Sequence, residues 1–340
     1  MNLAASPGVR VRDVARGVVE VFLPLPSKPT IVNVYLLDCG GGEWALVDTG
    51  VALRESREAF LAAIGKIGVE PAAITHLLAT HHHPDHFGAS RAYRAETGGL
   101  IHLHPLELER IAYTLSAGAD DMVVHSRRHG MPIPAAGPVN APRPSEVWAG
   151  TFQPATEVQH PVADGEVLAI GRRRLQVVWT PGHTPGHCCY LDLDDRVLFV
   201  GDHLLPKITP HVGVYATGPA NPLQDFLASQ DKVAALEVRL VCPAHGGVFS
   251  DHRHRARQIR AHHEVRAREM WDVLQAGPAT AYEVARKAFH WVLENPAENR
   301  FQVGAAVMET IAHLELLRGR GVVERREAGE VLQYLARRGG

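Results

Sequence analysis

The residues most able to do chemistry crowd into the segment 80–86, which reads THHHPDH. On an extended backbone, side chains two residues apart point the same way, so His81 and His83 can converge on one metal ion. A proline then turns the chain, so Asp85 and His86 can face a neighbouring second ion. Imidazole and carboxylate ligands together suit zinc, or iron or manganese with different partners. The segment therefore predicts part of a metal site.

Three later segments each place one histidine or aspartate directly after a predicted strand and beside a glycine. Glycine lets backbones approach closely there, and open α/β sheets gather ligand-binding groups at their strand ends. One such segment is a weak signal, whereas four in order along the chain form a specific set. The three segments are TPGHTPGH at 180–187, which contains His183, FVGD at 199–202, which ends at Asp202, and PAHG at 243–246, which contains His245.

The elements that must position these residues alternate between strand and helix. Apolar and β-branched runs predict strands, and a helical spacing of apolar residues predicts helices at 54–67 and 226–236. Alternation of this kind indicates an α/β layered architecture. The predicted strands lie at 17–23, 31–37, 44–47, 74–80, 174–179, 188–193, 197–200 and 238–241.

Residues 104–160 depart from this alternation. A helix predicted at 106–115 is followed by many prolines without clear periodicity, and a connection this long is usually functional. We therefore predict an insertion that lies over the site. Its candidate lining residues are Met122, His125, His129, Met131 and Trp148.

The last quarter of the chain has a different character. A long helix is predicted at 251–275, and Thr280 with Glu283 matches a capping box that begins another helix. A further helix and a hairpin at 322–335 complete what we expect to be a small winged-helix-like unit. The predicted domains are therefore 1–250, which carries the metal site, and 251–340.

Taken together, these segments resemble the metallo-β-lactamase superfamily of hydrolases over about residues 15–250. The DTG at 48–50 also matches the family's early strand end. The resemblance implies an αββα four-layer sandwich with a two-metal site at one edge, and it makes Asp48 the carboxylate that orients a ligand histidine. The implied ligands are His81, His83 and His183 on the first metal, Asp85, His86 and His245 on the second, and Asp202 bridging both.

The predicted activity is hydrolysis at a dinuclear zinc site, with Mn²⁺ or Fe²⁺ as the alternative metals. Two divalent ions roughly 3.5–4 Å apart can lower the pKa of a water between them toward 7, which provides hydroxide at neutral pH. That hydroxide would attack the carbonyl or phosphoryl centre of an ester, thioester, lactone or phosphodiester. Asp85 is expected to steer protons on the water, so Asp85 and the bridging Asp202 are the predicted catalytic residues.

Two positions narrow the chemistry within the family. In its flavodiiron members a glutamate stands where His83 is, so the histidine favours zinc hydrolysis. In the β-lactamases proper a cysteine replaces the bridging aspartate, so Asp202 argues against antibiotic hydrolysis. The TPGHTPGH segment and this aspartate resemble glyoxalase II thioesterases, which favours a small-molecule ester or thioester as substrate.

Two other activities stay open. The C-terminal unit resembles that of the human β-lactamase-like-2 endoribonuclease group, and arginines crowd the helix at 251–275, which would suit the phosphates of RNA. A solvated face is the favoured interpretation, because Glu264 and Glu269 balance those arginines. The histidines of this helix, His252, His254, His262 and His263, are expected to be solvated with them. An iron-dependent persulfide dioxygenase is the lesser alternative, since it shares several ligand positions.

Four further side chains are expected to support the site or to touch substrate: His187, His203, His211 and Tyr215. The composition, with 46% hydrophobic and 21% charged residues and a net charge of −2, is that of a globular protein without a general attraction to nucleic acid or membranes. No signal-peptide pattern or membrane-spanning run is visible, and the four cysteines match no disulfide framework. We therefore expect a cytoplasmic protein, with a homo-oligomer left open.

Overall fold

Two β-sheets face each other in the computed structural model, which describes residues 10–26, 28–116, 118–133, 152, 154–289 and 300–337. The first sheet has seven strands in chain order, β1 to β7. Strands β1 to β4 are antiparallel, whereas β4 to β7 run parallel. Its strands are β1 (Val11–Ala15), β2 (Val18–Pro24), β3 (Ile31–Gly40), β4 (Glu43–Val47), β5 (Ile74–Leu78), β6 (Leu100–Leu103) and β7 (His160–Pro161).

The second sheet has five strands in the spatial order β12-β11-β10-β9-β8. Strands β8 to β11 pair antiparallel, and β12 joins β11 in parallel after a long connection. These strands are β8 (Val167–Ile170), β9 (Arg173–Trp179), β10 (Cys188–Asp192), β11 (Val197–Gly201) and β12 (Leu240–Pro243).

The helices lie between or after these strands. A separate two-stranded hairpin follows the last helix, with strands β13 (Val323–Ala328) and β14 (Val331–Ala336). The helices are α1 (Arg54–Lys66), α2 (Pro84–Phe87), α3 (Ser90–Thr97), α4 (Pro105–Ser116), α5 (Gly118–Arg128), α6 (Pro222–Ala234), α7 (His252–Leu274), α8 (Ala281–Ala288) and α9 (Arg300–Gly319). No helix in the described ranges combines the length and the apolar composition needed to cross a membrane.

Three hydrophobic clusters define the layers. Tyr35 of the first sheet packs with Tyr190 and Phe199 of the second, in the cluster between the sheets. A second cluster joins the outer face of the first sheet to α1 and α3, and a third joins the outer face of the second sheet to α6 and the C-terminal helices. Strands that are buried on both faces of a sheet have nearly continuous apolar sequences, as β11 does. The structure therefore confirms the α/β sandwich with helices outside both sheets.

The C-terminal helices share a core with the second sheet. Phe226 of α6, Ile259 of α7 and Ile311 of α9 belong to one cluster of buried residues. The predicted capping box is present, because Thr280 accepts from the Glu283 N–H and Glu283 accepts from the Thr280 N–H. The predicted helices and hairpin are found, whereas the winged-helix character and the boundary at 250 stay predictions.

Two histidines of α7 were wrongly expected to be solvated. His252 and His263 are buried, and His263 Nδ1 lies 3.1 Å from Nε2 of His313 on α9. His263 occupies the apolar stripe of the helix, because Ile259 and Ala267 precede and follow it at spacings of four residues. The residues of this stripe face the C-terminal core.

The insertion is partly helical where no periodicity was expected, because α5 covers 118–128. Met122 and Met131 pack against the C-terminal core, while His125 and His129 lie beside the β13–β14 hairpin. That these four side chains line the metal site stays a prediction. Residues 134–151 and 153, and with them Trp148 and most of the predicted cover, lie outside the described residues.

Candidate metal centre

The predicted ligand segments all leave strands at one edge of the two sheets. His81 and His83 follow β5, and His183 lies in the turn between β9 and β10. Asp202 directly follows β11, and His245 follows β12, which pairs with β11 in parallel. Because neighbouring parallel strands end at the same edge, Asp202 and His245 are brought together there.

The first cluster contains His81, His83 and His183. One ring nitrogen from each of them lies within 4.8 Å of the other two. Nε2 of His183 is 3.0 Å from Nδ1 of His83, and the ring of His81 meets both other rings edge to face. Three imidazole nitrogens thus converge on one small volume.

The second cluster contains Asp85, His86 and His245, whose ligand atoms also lie within 4.8 Å of one another. Oδ2 of Asp85 is 3.2 Å from Nε2 of His245 and 3.7 Å from Nε2 of His86. Asp85 and His86 occupy the short helix α2, which begins at the proline of the HHHPDH run. That proline turns the chain, so these two residues face a different volume from His81 and His83.

Asp202 lies between the two clusters. Its Oδ1 is 3.6 Å from Nε2 of His86 and 3.5 Å from Nε2 of His245. Its Oδ2 is 3.7 Å from Nε2 of His183. One carboxylate therefore faces both clusters, one oxygen to each.

The donor set fits divalent metal ions. Nε2 of His81, Nε2 of His86 and Oδ1 of Asp202 are buried and have no hydrogen-bond partner among the described residues. A buried polar atom without a hydrogen-bond partner destabilises the folded state. Several such atoms close together are therefore typical of a ligand site. Neutral imidazoles and a carboxylate match the nitrogen and oxygen ligands that zinc takes in proteins.

The ring nitrogens on the far side of the ligands are held by hydrogen bonds. His86 Nδ1–H donates to Oδ2 of Asp48 at 2.8 Å, and His183 Nδ1–H donates to the carbonyl of His211 at 2.7 Å. His245 Nδ1–H donates to the carbonyl of Ile31 at 2.9 Å. Such bonds determine the tautomer and orientation of each ring, so that Nε2 faces the centre.

Asp48 also holds the start of the ligand loop. It accepts hydrogen bonds from the backbone N–H and the hydroxyl of Thr80, and Thr80 Oγ1 in turn lies 3.1 Å from Nδ1 of His81. Asp48 has a φ of 60°, in the left-handed region that aspartate tolerates better than most residues. One carboxylate thus orients both His81 and His86.

Gly201 permits this close packing. With a φ of 47°, a Cβ at this position would lie 2.5 Å from Oγ1 of Thr80 and 2.9 Å from Nε2 of His187. The glycine of the FVGD segment therefore lets β11 deliver Asp202 beside the loop that carries His81.

The charges of the clusters are coupled. Burial, reinforced by the neighbouring imidazoles, holds the pKa of His81 and of His83 well below the ordinary value, so both rings are neutral. Burial opposes ionisation of Asp202, but His86 and His245 beside it outweigh burial and hold its pKa well below the ordinary value. Burial opposes protonation of His86, but the carboxylates of Asp85, Asp202 and Asp48 outweigh burial and raise its pKa well above the ordinary value. A metal ion would displace that proton, because imidazole binds metals in its neutral form.

Glu107 is a functional residue that sequence reasoning missed. Its side chain is fully buried, and it accepts hydrogen bonds from the backbone N–H groups of His82 and Gly186 at 2.8 and 2.6 Å. It also bonds the ring of His82, which is not part of the first cluster. A glutamate on helix α4 carries no signal of this role in the sequence, because surface helices are rich in glutamate.

The four supporting candidates take different places. His187 is buried behind His81, with ring centroids 5.1 Å apart, and His203 packs against Phe226. His211 holds His183 through its carbonyl, and its Nδ1 lies 3.7 Å from Oε2 of Glu309 on α9. Burial raises the pKa of Tyr215 to about 12, and its ring lies beside that of His211.

Comparison with known proteins decides the family. Residues 27–245 match the family described as the metallo-beta-lactamase superfamily. The chain belongs to the metallo-beta-lactamase superfamily. A crystal structure of a metallo-beta-lactamase family protein from Thermus thermophilus is similar to it, with a TM-score of 0.81 and 34% identity over 94% of this chain and 99% of that one.

Curated relatives in the superfamily are more distant. Lactamase-like protein nscB from Neosartorya fischeri is 26% identical over 76% of this chain and 66% of its own length. An atrochrysone carboxyl ACP thioesterase from Aspergillus fumigatus is 26% identical over 72% of this chain and 59% of its own length. The chain thus spans 59% to 66% of the length of these relatives, which is less than two thirds. The superfamily uses divalent metals, in agreement with the His and Asp clusters described above.

Proposed function

We propose that this superfamily member is a metal-dependent hydrolase that cleaves a small-molecule thioester or ester. The observation that carries the proposal is Asp202, whose two oxygens face two separate ligand clusters with buried, unpartnered donor atoms. The similarity to a thioesterase over 72% of this chain supports an acyl thioester as the substrate class.

The proposed metals are two zinc ions, with Mn²⁺ or Fe²⁺ as the alternatives. The ligands of the first ion would be His81, His83 and His183, those of the second Asp85, His86 and His245, and Asp202 would bridge both. When bound, such ions supply Lewis acidity and a nucleophilic water at neutral pH. The support for zinc is the predominance of imidazole over carboxylate among the ligands.

In the proposed reaction, a carboxylate of the chain itself accepts and returns the proton. The side chain of Asp85 is 26% exposed and that of Asp202 14%, so Asp85 is the more accessible of the two. Asp85 can therefore accept the proton of the attacking water and return it to the leaving thiolate or alkoxide. His81 and His86, both fully buried, stay fixed by the Asp48 network during this exchange.

An activity screen with metal analysis tests the proposal. The zinc- and manganese-loaded chain is offered thioester, lactone, phosphodiester and RNA substrates side by side, and bound metal is counted on the same sample. We expect metal-dependent thioester or ester turnover that is abolished in Asp202→Ala and in His83→Ala and retained in Asp38→Asn, which lies remote from the clusters. Full activity in the chelated protein or in either alanine variant would refute the assignment.

The RNA alternative receives little support from the arginines of α7. Arg260 pairs with Asp231, Arg266 with Glu269 and Arg268 with Asp272. The remaining arginine contacts on this helix include Arg253 to Glu237 and Arg255 to the carbonyls of Leu205 and Ile208. Arg253, Arg255 and Arg260 thus bind neighbouring elements, while Arg266 and Arg268 pair within the helix. Salt-sensitive RNA binding in the screen is the outcome that would favour a nuclease. Oxygen consumption by the iron-loaded chain that depends on an added organic persulfide would favour a persulfide dioxygenase.

A further inference from the structure

Residues 211–215, which read HVGVY, lie between the metal centre and the C-terminal helix α9. Their first residue contacts a ligand candidate, because the His211 carbonyl accepts a hydrogen bond of 2.7 Å from Nδ1–H of His183. That bond orients the His183 ring, so whatever restrains the backbone of His211 also restrains His183. The five residues belong to no helix or strand, so the restraint must come from neighbouring elements. We call residues 211–215 the linking segment.

Helix α9 holds the backbone of the linking segment. The N–H of Val214 donates to the carbonyl of Met308 at 3.2 Å. Val212 and Val214 are buried in the same hydrophobic cluster as Met308. Gly213 permits this close contact, since a Cβ at its position would lie 2.9 Å from Cβ of Met308. The second half of the linking segment is thus packed directly on α9.

The next residue of the helix, Glu309, reaches the other end of the segment. Its Oε2 lies 3.7 Å from Nδ1 of His211, within ion-pair range. Burial opposes ionisation of Glu309, but His211 and then His313 outweigh burial and lower its pKa, so the carboxylate is charged. A charged carboxylate beside Nδ1 favours a proton on that nitrogen and so restrains the ring. Helix α9 therefore contacts the linking segment at two points, one of them the residue that orients His183.

We propose that Glu309 is a positioning residue of the metal centre. Its carboxylate restrains His211, and the carbonyl of His211 orients the ligand candidate His183. The inference rests on the proposed role of His183 as a ligand of the first metal. Its consequence is that the C-terminal helices do more than cover the second sheet, because one of them helps to place a metal ligand.

A second glutamate of the same helix makes it possible to separate positioning from packing. Glu315 is also buried on α9, but it accepts hydrogen bonds from Arg325 at 2.7 Å and from the hydroxyl of Tyr334 at 2.9 Å, both on the C-terminal hairpin. Its loss should disturb α9 and the hairpin without changing the contacts of the linking segment. A role in packing alone would make the two glutamates equivalent, whereas positioning would make only Glu309 matter to the metal.

Metal binding by the full chain tests the proposal. Zinc affinity is measured by competition with a chelating dye, and the visible absorption of the cobalt-loaded chain reports the geometry of the ligands. We expect Glu309→Ala to lower zinc affinity about tenfold, the lower end of the usual loss for a supporting partner, and to shift the cobalt bands. Glu309→Gln, which keeps the size of the side chain and so preserves its packing, should cause a smaller loss in the same direction. It carries the test if the alanine variant does not fold.

A double variant tests whether Glu309 acts through His211. His211→Ala removes the ring and keeps the backbone carbonyl that bonds His183. Because the proposed effect of Glu309 passes through that ring, the two losses should not add. The chain with both Glu309→Ala and His211→Ala should bind zinc no more weakly than the weaker of the two single variants. Glu315→Ala is the matched control, in which unfolding stability should fall while zinc affinity and the cobalt spectrum stay unchanged.

Three results would overturn the proposal. They are zinc affinity and cobalt spectrum unchanged in both Glu309 variants, additive losses in the double variant, and an equal loss of affinity in Glu315→Ala. If the unmodified chain binds zinc at the clusters in these cases, the proposed function survives and only the role of Glu309 is wrong. An unmodified chain that binds no metal would refute both.

Discussion

The buried carboxylate of Glu107 accepts a hydrogen bond of 2.8 Å from the backbone N–H of His82. Its other oxygen accepts one of 2.6 Å from the backbone N–H of Gly186. These two residues lie in the loops that carry His83 and His183, so one side chain holds both halves of the first cluster in register. Helix α4, at the start of the insertion, is thereby part of the framework of the metal centre.

Replacing Glu107 by alanine removes both of these bonds at once. Two buried N–H groups lose their acceptor, at about 1–3 kcal/mol each, and the loops carrying His83 and His183 lose their common anchor. We expect metal affinity to fall about 10–100-fold, the usual loss when a supporting partner of metal ligands is removed. Competition with a chelating dye measures affinity, and denaturant unfolding measures stability.

Glu109→Ala is the matched control, because Glu109 is exposed on the same helix. It should retain metal affinity and lose little stability. If Glu109→Ala weakens metal binding as much as Glu107→Ala does, the effect belongs to the helix as a whole and the role of Glu107 as an anchor is wrong.

Asp48→Asn tests the network behind the second cluster. Asn tolerates the left-handed backbone of this position, with its φ of 60°, so the turn should survive. The amide offers one oxygen where the carboxylate offers two, and His86 Nδ1–H and the Thr80 donors then compete for it. We expect an affinity loss of about 10–100-fold with little change in unfolding free energy.

Asp38→Asn serves as its control, since Asp38 is a partly exposed aspartate that pairs with Arg172. Metal affinity measured by the same competition assay should be unchanged there. An Asp48→Asn protein that binds metal as tightly as the unmodified chain would contradict the orienting role.

The sequence carried the metal clusters because their residues follow strand ends. His81 and His83 alternate on an extended segment, and Asp202 and His245 each follow a strand of the second sheet, which indicated that these groups gather at one edge. Their division between two metals was implied by the resemblance to the superfamily. The supporting contacts could not be predicted in this way. Glu107 reaches Gly186 across 79 positions of the chain, and no local pattern encodes that distance.

Errors in the fold have similar causes. The α5 helix and the short strands β6 and β8 were missed because short elements give few repeats of a periodic pattern. His263 was wrongly predicted to be solvated because α7 is rich in arginine, which is typical of a solvated helix. The spacing from Ile259 to His263 to Ala267 follows one face of the helix and could have placed it in the core.

Removal of residues 251–340 tests whether the C-terminal unit is separable. Leu227 and Phe226 of α6 share a cluster of buried residues with Met270 of α7 and Val307 of α9. Truncation would expose that apolar surface, so we expect the fragment 1–250 to aggregate or to lose cooperative unfolding. Solubility measures the aggregation, and denaturant-induced unfolding measures the cooperativity. A fragment that unfolds cooperatively and still binds metal would show that the unit folds as an independent domain.

His102 should contribute to the acid sensitivity of the fold, because it is buried beside His76, with Nε2 of His102 2.8 Å from Nδ1 of His76. Burial, then His76 and His160, lowers the pKa of His102 to about 3. The unfolded chain binds a proton at this residue near the ordinary value of about 6.5. The neutral ring therefore favours the folded state above that pH, and this contribution is lost progressively as pH falls from 6.5 toward 3.

His102→Gln, which cannot take up a proton, isolates this effect. Between about pH 7.5 and pH 5 the unmodified chain should lose about 2 kcal/mol more unfolding free energy than the variant, because pH 5 lies some 1.5 units below the unfolded pKa. His254→Gln is the control, since His254 is exposed on α7 and should leave the pH dependence unchanged. Denaturant unfolding at the two pH values measures the difference. Equal pH dependence in the unmodified chain and His102→Gln would show that the histidine pair does not control acid stability.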